Sequence, residues 1–212
     1  MSNDLLDKLV ADAAPVRRAN AVLFAALFSG GIAIAAASIL IFYGLRDLPA
    51  TTFGVSVMIW KAFASVAVAA TGAVLVYRLG KPGRGVRGGT DKVFALIALL
   101  FAAPLVIAFF AGPESHKEWL FNGAWVLDCM RGIGMATVPV WTASVIWMRK
   151  AAPTDIAQAS WAVGLASAAS GTSAFVLYCP FDSVLYVGLW YMATILGIAC
   201  VSRFILPGVI RW

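Results

Sequence analysis

Few side chains in this sequence are placed to do chemistry, and the three cysteines come first. Cys129 follows Asp128 and shortly precedes Arg131, while Cys179 opens the stretch Cys179-Pro180-Phe181-Asp182-Ser183. A nearby cation makes a thiol easier to ionise and a carboxylate makes it harder, so such neighbours set reactivity. Two thiols that meet can act as a redox pair, seat a thiophilic metal ion or form a static disulfide. A disulfide needs Cα atoms within about 7 Å, and the spacing leaves all of these readings open. No Cys-x-x-Cys pair occurs, which argues against a thioredoxin-like or quinone-linked disulfide oxidoreductase. Cys200, inside an apolar run, reads as a small buried apolar residue. His116 is the sole histidine, so a bis-histidine haem is excluded. It is either a third ligand beside Cys129 and Cys179 or a solvated loop residue. Lys81-Pro82-Gly83-Arg84-Gly85 lacks the Lys-Ser/Thr of a P-loop. No cofactor is called for.

Lys61 lies inside an apolar run. An ionisable residue there marks a functional site by default, and its partner has to be named. Asp128 and Asp182 are the candidates; the alternative is that Lys61 snorkels to the interface. Arg131 is a further candidate partner for Asp128 or Asp182.

The elements that carry these residues are apolar. Hydrophobic residues make up 62% of the chain and charged residues 12%, where a soluble domain carries about 25% charged. A span needs roughly 20 apolar residues, and six stretches qualify: approximately Val22–Tyr43, Val55–Tyr77, Val93–Ala111, Cys129–Met148, Trp161–Tyr178 and Val184–Leu206. Lipid offers no partners to backbone N–H and C=O groups, so each must be helical. The expected fold is all-α, an integral membrane bundle of six transmembrane helices covering residues 21–212. Small residues in the first, second and fifth stretches allow close helix approach, Pro104 and Pro139 are compatible with kinks, and Trp60, Trp147, Trp161 and other aromatics near span ends read as interfacial. The polar, acidic Met1 to Arg18 precedes any apolar run, so no cleavable signal peptide is expected.

Orientation follows from charge. Lys8, Arg17, Arg18, Arg78, Lys81, Arg84, Arg87, Lys92, Arg149, Lys150, Arg203 and Arg211 fall on one side, and only Arg46, Lys61, Lys117 and Arg131 on or toward the other. The bias places both termini in the cytoplasm. It accounts for the net charge of +6 without direct contact to nucleic acid. It also places Cys129 and Cys179 together at the outer face, which in a bacterium is the oxidising side.

Residues 1–20 precede the first span. Leu5, Leu6, Leu9, Val10 and Ala13 line one helical face. Ser2 or Asn3 is a candidate cap, and Asp4 and Asp7 suit the positive end of the helix dipole. Three acidic residues against one lysine make a poor ligand for anionic lipid. The segment is either a juxtamembrane helix or an amphipathic ligand for a basic partner with an apolar groove.

Several marks together resemble the NrsF-type membrane anti-sigma factors, six-span proteins paired with extracytoplasmic-function (ECF) sigma factors. They are Asp4-Leu5 to Leu9 with Pro15-Val16-Arg17-Arg18, Gly80-Lys81-Pro82-Gly83, Cys129, Cys179-Pro180-Phe181-Asp182-Ser183 followed by Leu189-Trp190-Tyr191, and Arg211-Trp212. The resemblance covers essentially the whole chain. It implies a non-enzymatic negative regulator of transcription in the inner membrane. Leu5, Leu6, Leu9, Val10, Pro15, Arg17 and Arg18 would dock the sigma factor. Cys129 and Cys179 would sense oxidants or bind thiophilic heavy metal, with Lys61, Asp128, Arg131 and Asp182 as neighbours; Cys200 has no counterpart. A small transporter or channel is the competing expectation, motivated by Lys61 and the six spans. Oligomeric state is not encoded in these features.

Overall fold

A computed structural model describes residues 20–81, 88–112, 120, 123–151 and 153–210. The N-terminal residues expected to dock a partner (Leu5, Leu6, Leu9, Val10, Pro15, Arg17 and Arg18) lie outside this range, as do His116, Lys117, Arg84, Arg87 and Arg211.

Among the described residues every regular element is helical. Helix α1 is Ala21–Phe42, α2 is Thr52–Leu79, α3 is Gly89–Ala111, α4 is Gly123–Ala151, α5 is Ile156–Phe175 and α6 is Val184–Ile210. Side-chain caps start four of them, Ser183 accepting from the Tyr186 N–H (3.4 Å) at the head of α6 and three others more closely. Asn20 accepts from the Val22 N–H (2.9 Å), Thr51 from Gly54 (3.1 Å) and Asp155 from Gln158 (2.9 Å), satisfying donors that the first turn leaves free. Consecutive helices alternate in direction. Connections 44–51 and 176–183 and the start of α4 gather at one end, while Gly80 meets Trp147 at the other.

Helix α5 is the axis. Its stretch from Ala162 to Thr172 is buried throughout, between α2, α4 and α6. Close approach is possible because most of its buried residues are Gly, Ala, Ser or Thr. A methyl group on Gly164 would lie 2.7 Å from the Ala199 Cα of α6, and one on Gly171 2.8 Å from the Thr137 nitrogen of α4. This is the close packing that small residues permit where lipid gives no hydrophobic drive. Ser167 aside, whose buried hydroxyl has no hydrogen-bond partner among the described residues, the hydroxyls of α5 donate to their own helix: Ser160 to Ile156, Ser170 to Ala166, Thr172 to Ala168 and Ser173 to Ala169. They are thereby satisfied without a lateral partner.

Among the described residues four helices, α1, α2, α3 and α6, are long and apolar enough to cross a membrane. Helices α4 and α5 have the length, 29 and 20 residues, but fall short in hydropathy. In α4 the cause is Asp128, Arg131, Arg149 and Lys150; in α5 it is serine, threonine and glycine on a helix its neighbours enclose. Leu40, Ile41, Phe63, Val66, Phe110 and Phe204 point outward, an apolar exterior suited to lipid.

The expected kink at Pro104 takes the form of a π-helical turn, Ala98–Ala102. Proline 104 cannot donate to the Leu100 carbonyl, and that carbonyl accepts from the Trp60 indole at 3.2 Å instead. Trp147, expected at the interface, is 1% exposed. It packs against Phe24 and Tyr77 over the bare Gly80. The expected span ending at Tyr178 stops as helix at Phe175, where the chain unwinds through tight turns.

Candidate functional site

The turn from Val176 to Ser183 joins α5 to α6 and is held by two cations. Lys61, on α2 and wholly buried, donates to the carbonyls of Cys179 (3.0 Å) and Phe181 (2.8 Å) and to Asp182 Oδ1 (3.3 Å). All three ammonium protons are used. This is the paired version of Lys61 rather than the snorkelling one, with Asp182 as partner, and it leaves little of the ammonium to serve a transport path.

Arg46 supplies the second cation. Gly44, at φ 85°, ends α1 in the left-handed conformation that glycine adopts without strain. Beyond it the Arg46 N–H donates to the Leu177 carbonyl at 3.0 Å. The guanidinium grips Asp182 through both arms (Nη1 to Oδ1, 3.0 Å; Nη2 to Oδ2, 2.7 Å). Nη1 also donates to the Cys179 carbonyl at 2.6 Å. Such bidentate, charge-assisted bonds are the strong ones. The bond to Asp182 raises the Arg46 pKa against the opposing effect of burial. Burial pushes the Asp182 carboxyl up, but Arg46 and Lys61 outweigh it and hold the group below its ordinary value.

Both thiols lie beneath this clasp. Cys129 on α4 is 3% exposed and Cys179 is 1% exposed, and both are free. They line one void of about 10 Å³, walled by Trp125, Phe175, Tyr178, Phe181 and Tyr186, about the space of one water. The Phe181 and Tyr186 rings stack at 4.6 Å. The Tyr186 hydroxyl sits beside the Cys129 thiol and donates to the Trp125 carbonyl at 2.9 Å. Tyr191, also on α6, is fully buried. Its hydroxyl has the Cys179 thiol as a neighbour but no hydrogen-bond partner of regular geometry among the described residues.

Of the expected neighbours, Lys61 and Asp182 join the cysteines directly. Asp128 borders the thiol void from an exposed position, and Arg131 is exposed on α4. The salt bridges of Asp182 are with Arg46 and Lys61, not Arg131. Cys200, expected to be buried, is exposed. Ala199 and Ser202 turn toward the interior of the bundle, which rotates Cys200 outward. Among the described residues no three His, Cys, Asp or Glu side chains converge as a metal site; two thiolates alone suit only a soft ion of low coordination number.

Arg46, Tyr186 and Tyr191 escape a reading of the sequence as site residues. Arg46 did leave a trace: with Lys61 it is one of the few basic residues on the wrong side of the charge bias, and both are consumed by Asp182. Tyr191 leaves its trace in the Leu189-Trp190-Tyr191 stretch, whereas Tyr186 leaves none, being an ordinary aromatic in an apolar helix.

An α-helical bundle with an apolar exterior and a clasped thiol pair at one end has the form of a membrane protein, and comparison with known proteins gives its class. Residues 9–212 match the family described as NrsF, negative regulator of sigma F, and the chain belongs to that family, which is regulatory and non-enzymatic. A relative from Azospira oryzae, described as a probable anti-sigma-F factor NrsF, is 30% identical over 160 residues, 73% of each chain. The anti-sigma-F factor NrsF of Caulobacter vibrioides is 27% identical over 225 aligned positions, covering 100% of this chain and 99% of that one. No solved structure is a significant match.

Proposed function

We propose that the chain is an anti-sigma factor of the bacterial inner membrane, with six transmembrane helices and both termini in the cytoplasm. Residues 1–20 are the docking segment and residues 21–212 the membrane domain. Leu5, Leu6, Leu9 and Val10, with Pro15, Arg17 and Arg18, hold an ECF sigma factor away from RNA polymerase. Oxidation of Cys129 and Cys179, or capture of a thiophilic metal ion by them, releases it. The observation that carries this reading is one shared void for both thiols, at the end of the bundle remote from the start of α1. Six spans are supported by the alternating directions of the helices, and by α5 being screened from lipid on the faces where its composition is polar.

The clasp suggests how a signal leaves the site. The carbonyl of Cys179 is bound to Lys61 of α2 and to Arg46 beyond α1, so a turn that shifts on thiol modification pulls on both helices. Moving a partner from almost wholly bound to almost wholly free needs a differential of about 5.5 kcal/mol. A disulfide supplies roughly 2–4 kcal/mol, which predicts graded release.

Two experiments test this. Co-purification with candidate sigma factors, with and without residues 1–18, is expected to lose the partner on truncation; retention would sink the docking assignment. The Cys129→Ser/Cys179→Ser double variant is expected to keep its sigma factor bound under oxidant, and release from it would refute the sensor role.

A further inference from the structure

Resting on the reading of Cys129 and Cys179 as sensor thiols, we propose that Cys179 attacks the oxidant, an organic hydroperoxide, and that Cys129 resolves the product, with Tyr191 and Lys61 positioning the first step.

Two tyrosines distinguish the thiols. The Tyr186 hydroxyl has committed its proton to the Trp125 carbonyl, so it offers Cys129 a lone pair. With that proton committed, Tyr186 has none left to donate to a thiolate at Cys129. The Tyr191 hydroxyl is fully buried and its proton has no acceptor among the described residues. Buried donors are seldom left unmade, and the acceptor at hand is the Cys179 sulfur once it gains negative charge. The clasp adds to this asymmetry. Lys61 and Arg46 both interact electrostatically with Cys179, and with Asp182 they leave one net positive charge beside it. Of these two cations, Lys61 alone acts on Cys129.

A route for the oxidant follows the same wall. Phe181 and Tyr186 border the thiol void on one side and an apolar groove of about 740 Å³ on the other, lined by Pro104, Ile107, Ala108 and Ala111. A hydroperoxide of low polarity partitions into such a groove and meets the thiols when two rings part. The Cys179 sulfur, having given up its proton, bonds to the terminal peroxide oxygen as the O–O bond breaks. The departing alkoxide takes the proton and leaves as an alcohol. The Cys129 sulfur then attacks the Cys179 sulfenic acid; the S–O bond breaks, and hydroxide departs with the Cys129 proton as water. Two thiols have lost two electrons and two protons, and the peroxide has become alcohol and water.

The test uses full-length protein in detergent in a Cys200→Ser background, with cumene hydroperoxide and a 1,3-diketone label for sulfenic acid read by mass spectrometry at each site. Cys129→Ser is expected to accumulate label on Cys179, and Cys179→Ser to label Cys129 at least about tenfold more slowly, the worth of one charge-assisted hydrogen bond. Tyr191→Phe, which removes one oxygen and keeps the ring, is expected to slow labelling of Cys179 by about the same factor and to leave Cys129 unchanged. A loosened fold would speed both sites instead, and would overturn the role of Tyr191. Equal labelling of the two cysteines would overturn the order of reaction. If Cys179 reacts first and the sigma factor stays bound, the sensor reading fails while the order stands; release with the order reversed defeats the order alone.

Discussion

Replacing Asp182 with Asn tests the clasp with one atom changed. Among the described residues the carboxylate is the sole anion between Arg46 and Lys61, at 2.7 and 3.3 Å, and their side chains are 8% and 0% exposed. Breaking a buried pair from one side typically costs 3–5 kcal/mol, because the remaining charge is stranded. Two features lower that figure here. Lys61 keeps the carbonyls of Cys179 and Phe181, and Asp182 is itself 19% exposed. A loss of roughly 2–4 kcal/mol is expected. Denaturation of the purified protein in mild detergent, followed by tryptophan fluorescence, measures it; Trp125 packs against Phe181 at 5.2 Å and reports the turn directly. The control is Asp128→Asn, an exposed carboxylate at the same end, expected to move stability by less than about 0.5 kcal/mol. Adding Lys61→Met to Asp182→Asn removes the more deeply buried of the two stranded charges and is expected to recover part of the loss. Equal, small effects of the two aspartate variants would refute the reasoning, as would a double variant worse than the sum of the single ones.

Acid should reveal the same group. The folded Asp182 carboxyl is held below its ordinary value, near 3.9 in an unfolded chain. Its contribution is therefore complete above about pH 4–5 and lost as pH falls through the lower folded value. Asp182→Asn is expected to flatten this acid limb in a stability–pH curve, and an unchanged limb would assign the fall to other carboxylates. At the axis of the bundle, Gly164→Leu forces a side chain against the Ala199 backbone and is expected to cost about 1–3 kcal/mol; a neutral result in the same denaturation assay would mean that α5 and α6 separate freely.

The helices were largely legible because hydrocarbon imposes a length and a composition that survive any detail of packing. The common level of Cys129 and Cys179 was legible for the same reason, since alternating spans fix which ends coincide. The partner of Lys61 could be narrowed to two aspartates at that level. The choice of Asp182 depends on how α2 meets a turn 121 residues away, which no local pattern encodes. Arg46 depends on a contact across 136 residues and on one glycine that turns the chain back. Cys200 went astray because hydropathy reports that a residue sits in a span and not which way it faces. The end of α5 at Phe175 was missed because Val176 to Tyr178 stay apolar after the helix has unwound.

The reach of the Lys61 contacts has a consequence for how the protein is made. Its carbonyl acceptor on Cys179 lies 118 residues further along the chain. At about 5–20 residues per second, α2 leaves the ribosome on the order of 6–24 s before that acceptor exists. Through that interval a bare ammonium rides on a nascent apolar helix, a burden below the roughly 2.5–3.5 kcal/mol of a mid-span charge because Lys61 lies toward one end of α2. Helix α2 therefore has reason to linger in the insertion machinery, or to sit tilted with Lys61 in water, until the α5–α6 hairpin arrives. A chain cut short before that hairpin would keep the defect permanently and present a mark that membrane quality control can recognise.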